Sequence, residues 1–280
     1  MEFFNKKQVL TSFISNLKSN KKTIGFVPTM GALHLGHLSL VEAARKENDV
    51  VIVSIFVNPT QFDNKNDLNN YPKTLEKDKK LLAIQKCDVL FAPSIADIYS
   101  TTIVAEKFDF GGLENEMEGK FRKHHFDGVG TIVKSLFEII TPNNAYFGEK
   151  DFQQLQIIKK LTSICNSNVT VKGMPIFREK DGLAMSSRNA RLSAIQRTAA
   201  PFIYRVLQNV KQKVSEHNTR DIEKFVKNAF NNHSLLELEY FTIADENTLK
   251  PSKNLESSNK KRAFIAVFAG DIRLIDNIAL

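Results

Sequence analysis

Residues 23–37 read TIGFVPTMGALHLGH, and this stretch decides the predicted fold. Residues 23–27 are mostly apolar, with β-branched and aromatic side chains, which is typical of a buried strand. The apolar side chains between Ser39 and Lys46 then recur with the spacing of an amphipathic helix. A strand that leads into a helix is the first part of a βαβ unit, so this stretch predicts a parallel sheet with covering helices.

The same alternation continues through the first part of the chain. Residues 50–57 are apolar without a period of two, as in a central parallel strand that is buried on both faces. Further strands are predicted at residues 87–92, 145–147 and 169–171, and further helices at 74–85, 131–140 and 151–164. We therefore predict an α/β fold, with a Rossmann-like parallel sheet in a domain over residues 1–175.

The pattern changes after Pro175. Helices are predicted at residues 193–214 and 221–232, followed by a half-buried strand at 236–243. Two more strands, at 263–268 and 272–275, flank a predicted tight hairpin at residues 269–271. Helices followed by antiparallel strands predict a smaller α+β domain over residues 176–280.

Composition excludes several classes of protein. The chain has 280 residues, of which 42% are hydrophobic and 25% are charged, so it is not a disordered, collagenous or disulfide-rich sequence. It contains no apolar run of about 18 residues, and we expect neither a membrane span nor a secretory signal. Cys87 and Cys165 are the two cysteines of the chain, and this low number predicts buried thiols and a cytoplasmic location.

The basic charge balance is weak evidence for a nucleic-acid partner. The formal net charge is +8, but the lysines are spread along the chain, and the densest runs, at residues 77–80 and 260–262, are not interleaved with aromatic side chains. These runs favour a solvated surface. A milder interpretation is that some lysines line a pocket for an anionic substrate.

The strongest chemical signal is residues 28–37, which follow the first predicted strand and open the first helix. Main-chain N–H groups and the positive end of a helix face an anion at such a junction. His34 and His37 share one helix face, and Gly36 between them lets a large ligand approach the backbone. These groups suit a triphosphate, although two ordinary polar histidines are the alternative. A zinc site is disfavoured because no third ligand has metal spacing.

Three further motifs are weaker when each is taken alone. Residues 185–188 read MSSR, and their hydroxyls and guanidinium can bind phosphate oxygens. Asn58 and Gln61 offer amide groups just beyond the strand at 50–57. In residues 148–154, Lys150 can pair with phosphate and Asp151 can cap a helix. Each of these motifs is also compatible with an ordinary polar loop.

Together the four motifs resemble a known enzyme family. The H-x-G-H pattern after a first strand is the signature of a nucleotidyl-transferring superfamily that includes class I aminoacyl-tRNA synthetases. From about residue 22 to residue 191 the chain resembles the pantoate–β-alanine ligase family. That family uses ATP and Mg²⁺ to form a pantoyl adenylate with release of pyrophosphate, and β-alanine then displaces AMP. The resemblance implies a Rossmann-like domain, a smaller lid-like domain and a homodimer, with no nucleic-acid or membrane partner.

The resemblance also implies roles for individual residues. His37 would donate a proton and assist the departure of pyrophosphate with His34, and Lys150 would serve the phosphates. Asn58, Gln61 and Gln154 would hold pantoate, with Gln61 also reaching β-alanine. The implied ATP contacts are Met30, Gly31, His34, Gly36, His37, Gly148, Glu149, Lys150, Asp151, Phe177, Met185, Ser186, Ser187 and Arg188. The resemblance assigns no metal ligands to this sequence.

One loop departs from the family pattern, and two other interpretations stay open. The family's Arg-Pro-Gly-His-Phe appears here as residues 122–126, RKHHF, which changes the backbone freedom of the loop. A fragment of an aminoacyl-tRNA synthetase would share two of the motifs, but this chain lacks an obvious anticodon-binding region. A nucleic-acid-binding protein with an inactive nucleotide fold would bind with a steep dependence on salt.

Overall fold

A parallel sheet of six strands lies in the N-terminal part of the chain. The computed structural model describes residues 1–62, 68–69, 71–99, 102–252, 255 and 258–280. The strands are β1 (Glu2–Phe4), β2 (Ile24–Thr29), β3 (Val50–Ile55), β4 (Val89–Phe91), β5 (Asn144–Gly148) and β6 (Thr170–Met174). Their order is β1-β4-β3-β2-β5-β6, and every pairing is parallel. The predicted α/β sheet is confirmed.

Helices connect these strands. They are α1 (Lys7–Ser19), α2 (Leu35–Glu47), α3 (Leu75–Ile84), α4 (Ile95–Ile98), α5 (Met117–Phe121), α6 (His125–Ile140) and α7 (Phe152–Ile164). The core between α2, α3 and the sheet includes Val41, Val53, Leu82 and Leu90, all of which are almost completely buried. Burial of such side chains contributes about 1.5–3 kcal/mol each to the stability of the fold.

The parallel pairing brings the ends of three strands to one edge of the sheet. Thr29, the last residue of β2, is opposite Ile55, the last residue of β3. On its other side β2 pairs with β5 through Gly25 and Phe26. Because parallel strands all end on the same side, the segments that follow β2, β3 and β5 leave the sheet at that edge.

A smaller antiparallel sheet forms the C-terminal part. Its strands are β7 (Glu237–Asp245), β8 (Lys261–Ala269) and β9 (Ile272–Ala279), in the order β7-β8-β9. Gly270 has a φ of +59°, which suits the tight turn between β8 and β9. The helices α9 (Phe202–Lys213) and α10 (Thr219–Asn231) cover this sheet, and their apolar faces share a core with β8.

The described residues divide into two compact units. The first unit comprises Met1–Glu149 and Gln154–Pro175, and the second comprises Lys150–Gln153 and Ile176–Leu280. Residues 150–153 therefore group with the second unit, although only Glu149 separates them from the end of β5. In that unit the ring of Phe152 lies 5.9 Å from the ring of Phe264 and 4.0 Å from the guanidinium of Arg262.

Two features differ from the sequence prediction because local pattern is a poor guide to them. The predicted helix at 193–214 is wrong: it consists of α8 (Ala194–Ala199) and α9, which are separated at Pro201. Proline has no N–H group and its ring clashes with the preceding turn, so it ends a helix. The elements β1 and α1 were missed, because β1 has only three residues and α1 buries only Leu10 and Ile14 in a polar sequence.

The two thiols lie in different environments. Both cysteines are free, and Cys87 is buried, where burial raises the pKa of its thiol to about 12 and makes it unreactive. Cys165 is only partly buried, so the expectation of two buried thiols holds for Cys87 alone. Among the helices in the described part of the chain, none has both the length and the apolar character needed to cross a membrane.

The backbone at His124 is strained. His124 precedes α6 with a φ of +64°, and it stands where the resembled family pattern has glycine. The left-handed conformation costs a residue with a side chain about 1 kcal/mol or more. The interactions of the side chain offset little of this energetic cost, because His124 is exposed and its contact with Asp127 is a surface pair at 3.4 Å.

We expect His124→Gly to raise the free energy of unfolding by about 1 kcal/mol, because glycine tolerates positive φ. Urea unfolding measures the change. The control is His217→Gly, since His217 is also exposed but is not among the residues with positive φ. A His124→Gly variant that is no more stable than the control would show that the loop is not strained.

Candidate active site

The segment between β2 and α2 has an unusual backbone. Gly31 and Ala32 both have positive φ, at +84° and +51°. The N–H group of Gly31 donates to Oγ1 of Thr29 at 3.1 Å, and this hydroxyl in turn donates to the carbonyl of Ser54 in β3 at 2.8 Å. The loop is thus tied back onto the end of the sheet.

A buried carboxylate takes the next two N–H groups of the loop. Ala32 donates to Oδ2 of Asp78 at 3.0 Å, and Leu33 donates to Oδ1 at 2.9 Å. Asp78 lies in the first turn of α3 with no exposed surface. The expectation that this loop presents its N–H groups to an outside anion is therefore wrong for residues 31–33. These groups have internal acceptors.

The N–H groups that stay clear of this network are at the start of α2. The first intrahelical bond runs from the N–H of His37 to the carbonyl of His34 at 2.8 Å. Leu35 and Gly36 precede it, so their N–H groups have no acceptor within the helix. Together with the positive end of the helix dipole, they are groups that could bind an anion.

The two histidines of the motif stack on each other. Their ring centroids are 4.0 Å apart, with planes inclined by 33°. The main-chain N–H of His34 donates to Nδ1 of His37 at 3.4 Å. Because Nδ1 accepts this bond, a neutral His37 carries its proton on Nε2, and Nε2 is the nitrogen that can donate to a ligand.

The predicted pair Asn58 and Gln61 lies in the loop after β3, but the two side chains differ in role. Asn58 is 1% exposed, and its Nδ2 donates to Oε1 of Gln61 at 3.2 Å and to the carbonyl of Gly128 at 3.0 Å. Its Oδ1 accepts from Thr60 at 3.1 Å and from Tyr99 at 2.6 Å. These four bonds use the capacity of the amide, so Asn58 holds Gln61 in place.

Tyr99 is a site residue that the sequence analysis missed. Its hydroxyl is the donor of the shortest bond to Asn58, and it also contacts the hydroxyl of Thr60 at 3.1 Å. Burial raises the pKa of Tyr99, so the hydroxyl stays protonated and remains a donor. No local signal marks it, because it lies outside every motif and meets Asn58 only in the fold.

The loop that departs from the family pattern closes on Gln61. The carbonyl of Gln61 accepts from Nδ1 of His125 at 2.8 Å and from Nη2 of Arg122 at 3.2 Å. A carbonyl only accepts, so Nδ1 of His125 carries a proton. Gly128 lets α6 approach closely, since a Cβ there would lie 2.3 Å from the carbonyl oxygen of Thr60. The loop therefore closes without the Pro-Gly pair.

Gln61 also contacts the histidine segment. Its Nε2 lies 3.3 Å from Sδ of Met30, at the start of the loop between β2 and α2. The first unit thus brings Gln61 into contact with Met30, and Met30 lies in the same short segment as His34 and His37.

The other predicted residues of the first unit lie on β5 and α7 or next to them. Gly148 ends β5, and Gln154 is half-buried in α7. Glu149 lies beside Gly173, where a Cβ would be 3.5 Å from Cγ of Glu149.

The second unit brings a different set of predicted residues together. Lys150, Ser186 and Arg188 line one small pocket, together with Arg273 and Asp276. The side chain of Lys150 is 17% exposed, and its Nζ lies 3.4 Å from Oδ1 of Asp151. The pocket is thus lined by three cationic side chains and a hydroxyl, which are groups that can bind phosphate oxygens.

The MSSR segment follows a tight hairpin that spans residues 177–185. The carbonyl of Phe177 accepts from the N–H of Met185 at 3.0 Å, and Gly182 supplies a φ of +91° at the turn. Ser186 then opens a short 3-10 helix, Ser187–Arg191, by accepting the N–H of Arg188 on its Oγ at 3.3 Å. The hydroxyl hydrogen of Ser186 is left to donate to a ligand.

A buried ion pair supports this pocket. Arg178 binds Asp276 with two bonds, at 2.6 and 2.9 Å, and its guanidinium lies 3.7 Å from the ring of Tyr204. The next residue, Asn277, donates from Nδ2 to the carbonyl of Lys150 at 2.9 Å. The main chain at Lys150 is thereby fixed to β9.

Within the described residues no group of three or more His, Cys, Asp and Glu side chains could hold a metal.

The chain resembles one family along its whole length. The family model for pantoate-beta-alanine ligase matches residues 2–279. The pantothenate synthetase of Christiangramia forsetii is 54% identical over 281 residues, covering 100% of this chain and 99% of the relative, and that of Flavobacterium psychrophilum is 50% identical with full coverage of both.

Two solved structures share the fold. The pantothenate synthetase of Thermus thermophilus has a TM-score of 0.92 at 36% identity, with 99% of each chain covered. The pantoate-beta-alanine ligase of Francisella tularensis, complexed with beta-gamma ATP and beta-alanine, has a TM-score of 0.83 at 38% identity, with 100% of this chain and 97% of that chain covered.

We expect Tyr99→Phe to lower the free energy of unfolding by about 1 kcal/mol, because it removes a buried donor to Asn58. It should also shift the side-chain amide resonances of Asn58 and Gln61 in NMR spectra. The control is Tyr146→Phe, which loses a buried bond from Nδ2 of Asn48 at 2.8 Å and a bond from its hydroxyl to Oε2 of Glu47 at 2.5 Å. The control should be destabilised at least as much without those shifts, and equal shifts in both variants would contradict the role of Tyr99.

Proposed function

The chain belongs to the pantoate–β-alanine ligase family, and on that premise we propose which of its residues carry the reaction. The enzyme condenses (R)-pantoate with β-alanine through a pantoyl adenylate and releases AMP and pyrophosphate. The observation that carries the residue assignment is the placement of His34 and His37 at the start of α2, beside the N–H groups of Leu35 and Gly36, which have no acceptor within the helix.

The chemistry requires an activated carboxylate. A carboxylate alone is a poor acyl donor, because oxide would have to leave. In the first step a carboxylate oxygen of pantoate bonds to the α-phosphorus of ATP, and the bond from that phosphorus to the pyrophosphate oxygen breaks. In the second step the β-alanine amine attacks the pantoyl carbonyl, and AMP leaves with the bridging oxygen. Charge gathers on phosphate oxygens in the first step, so positioned donors accelerate it.

The first unit supplies donors for the triphosphate. We assign phosphate contacts to the N–H groups of Leu35 and Gly36 and to Nε2 of His37, which carries the proton in the neutral ring. We propose that the Nε2–H group of His37 donates a hydrogen bond to the departing pyrophosphate, with His34 stacked beside it. Met30 and Gly31 shape this segment, since the N–H of Gly31 is used internally.

The second unit supplies positive charge. We propose that Lys150, Ser186 and Arg188 bind phosphate oxygens of ATP, because they line one pocket. Ser187 lies next to Arg188 in the short 3-10 helix Ser187–Arg191. The family resemblance assigns further ATP contacts to the main chain at Phe177 and Met185 and to Gly148, Glu149 and Asp151, and we retain these as proposals.

The amide side chains select pantoate. An amide can donate to a carboxylate and accept from a hydroxyl at once, and pantoate has both groups. We propose that Gln61 and Gln154 contact pantoate directly and that Gln61 also reaches β-alanine. Asn58 acts on pantoate through Gln61, since its own four hydrogen-bonding positions are occupied within the protein.

Three further properties are proposals as well. We propose that ATP enters as its Mg²⁺ complex, because Mg²⁺ in nucleotide sites is held largely by phosphates and water and needs no dedicated protein cage. The family resemblance supports a homodimer formed through the larger domain. The free thiols and the dependence on ATP support a cytoplasmic location.

The order of product release tests the function. With ATP and pantoate alone, pyrophosphate should appear and stop after about one turnover per site, because the adenylate is shielded from water. Adding β-alanine should release AMP. If the pantoate carboxylate carries ¹⁸O, one labelled oxygen should appear in AMP, because the bridging oxygen leaves with the phosphate. Rapid-quench sampling with mass spectrometry measures both products.

Other outcomes identify other proteins. An ADP product would mean an acyl phosphate, and unlabelled AMP would mean that no pantoyl adenylate forms. Pyrophosphate release that requires an amino acid in place of pantoate would indicate a synthetase fragment. A nucleic-acid-binding protein would release nothing. Each of these results contradicts the proposed function.

We expect Lys150→Ala to weaken ATP binding at least tenfold, in line with the loss of about 1.5–3 kcal/mol for a hydrogen bond to a charged group. Pantoate affinity should stay within a factor of about two, since one point charge on phosphate is lost. Calorimetric titration of each ligand measures the split. Lys172→Ala is the control, because Lys172 pairs with Glu47 in the first unit. A collapse of pantoate affinity with normal ATP affinity would reverse the assignment of Lys150.

A further inference from the structure

We propose that Asp78 is a positioning residue for adenylation, acting through the loop that carries the stacked histidines. The inference rests on the proposed function of His34 and His37. Asp78 acts on the two rings indirectly. Its effect passes through the main chain of Ala32 and Leu33, which directly precede His34.

The burial of Asp78 is the first observation. In the sequence it stands in the run Lys77-Asp78-Lys79-Lys80, which predicts a solvated surface. In the fold Asp78 has no exposed surface, whereas Lys77 and Lys80 are exposed. An isolated buried carboxylate is strongly unfavourable, and it becomes tolerable only when donors surround it. A carboxylate at this position therefore needs a structural or functional reason.

The donors around Asp78 are the second observation. Each carboxylate oxygen takes one N–H of the loop, from Leu33 to Oδ1 and from Ala32 to Oδ2, and the hydroxyl of Thr74 adds a bond to Oδ2 at 3.1 Å. Two consecutive main-chain N–H groups that converge on one anion form a small nest. The nest between β2 and α2 thus holds an anion that belongs to the protein itself.

The backbone of the loop is the third observation. Ala32 has a φ of +51°, a conformation that L residues with side chains adopt at an energetic cost. The carboxylate binds the N–H of this same residue and so stabilises it there. Gly31 packs onto the carboxylate as well, since a Cβ at Gly31 would lie 3.3 Å from Oδ2 of Asp78 and 3.1 Å from Cγ2 of Ile55. The loop is shaped around Asp78.

The bonds from Asp78 also affect the residues that follow the loop. Leu33 is buried, and His34 follows it as the residue that precedes the first turn of α2. The direction in which α2 starts, and with it the bond from the N–H of His34 to Nδ1 of His37, depends on where Leu33 is held. Asp78 therefore fixes the donor nitrogen of His37 before ATP binds, and it leaves the N–H groups of Leu35 and Gly36 for the phosphates.

Asp78→Asn is the test variant, because it keeps the shape but turns one acceptor into a donor that faces a main-chain N–H. We expect single-turnover pyrophosphate formation to slow by about 10- to 100-fold, as for loss of positioned catalytic donors. Pantoate affinity should stay within a factor of about two. The ¹⁵N spectrum of the His37 ring should lose the pure Nε2–H tautomer, a signature that a general loss of stability would not produce.

Asp88→Asn is the matched control. Asp88 is also an acidic residue of the first unit that accepts a main-chain N–H, from Val51 at 2.7 Å, and it pairs with Arg45. Val51 lies at the beginning of β3, at the end of the strand away from Asn58. The control should lose stability and keep both the adenylation rate and the His37 tautomer. Equal losses of rate and tautomer in both variants would overturn the proposal.

A second variant covers the case in which Asp78→Asn does not fold. Thr74→Val removes one donor to Asp78, and Thr74 makes no side-chain cap for α3. It should slow adenylation about threefold with unchanged pantoate affinity, and an unchanged rate would overturn the proposal. The tautomer measurement needs no turnover. A wild-type enzyme that forms no pyrophosphate would therefore contradict the proposed function while the role of Asp78 is still decided by the spectrum.

Discussion

The parallel pairing of β2 with β3 and β5 is the constraint on which the rest of the site depends. Parallel strands end on the same side, so the segments after Thr29, Ile55 and Gly148 begin at one edge of the sheet. Each segment leaves a strand whose ladder of hydrogen bonds has stopped. Its main-chain N–H and carbonyl groups must find new partners or stay exposed to a ligand. The chemistry of this enzyme depends on which of those groups bond within the protein and which can bind a ligand.

Several of them are satisfied by the protein. Asp78 binds the loop after β2, and Arg122 and His125 bind the carbonyl of Gln61 in the segment after β3. In the second unit Asn277 binds the carbonyl of Lys150. The first N–H groups of α2 and the imidazole of His37 are therefore held in fixed positions. Donors that are already oriented need no reorganisation when charge develops on a phosphate, which is why they accelerate its transfer.

Local sequence patterns predicted most of the helices and strands and the motif residues. They did not predict the residues that bind those motifs and fix their positions. The run at 50–57 is apolar on both faces of a strand, and H-x-G-H marks a strand-to-helix junction, so both can be found from the sequence. Asp78 is hidden among lysines, and Tyr99 lies in no motif, because their roles depend on contacts with residues that are distant in the chain. The break at Pro201 could have been predicted from the missing N–H of proline, but the apolar spacing on either side concealed it.

The loop before His34 binds an internal carboxylate, and we propose that within the segment from Met30 to His37 the start of α2 supplies the main-chain N–H groups that bind ATP. Main-chain amide NMR of the ¹⁵N-labelled enzyme, with and without a non-hydrolysable ATP analogue, measures this directly. We expect the amide protons of Ala32 and Leu33 to exchange slowly without nucleotide and to shift little when it binds, whereas those of Leu35 and Gly36 should shift strongly. If Ala32 and Leu33 exchange rapidly in the free enzyme and take the large shifts on binding, the loop itself is the phosphate site, and Asp78 does not occupy it.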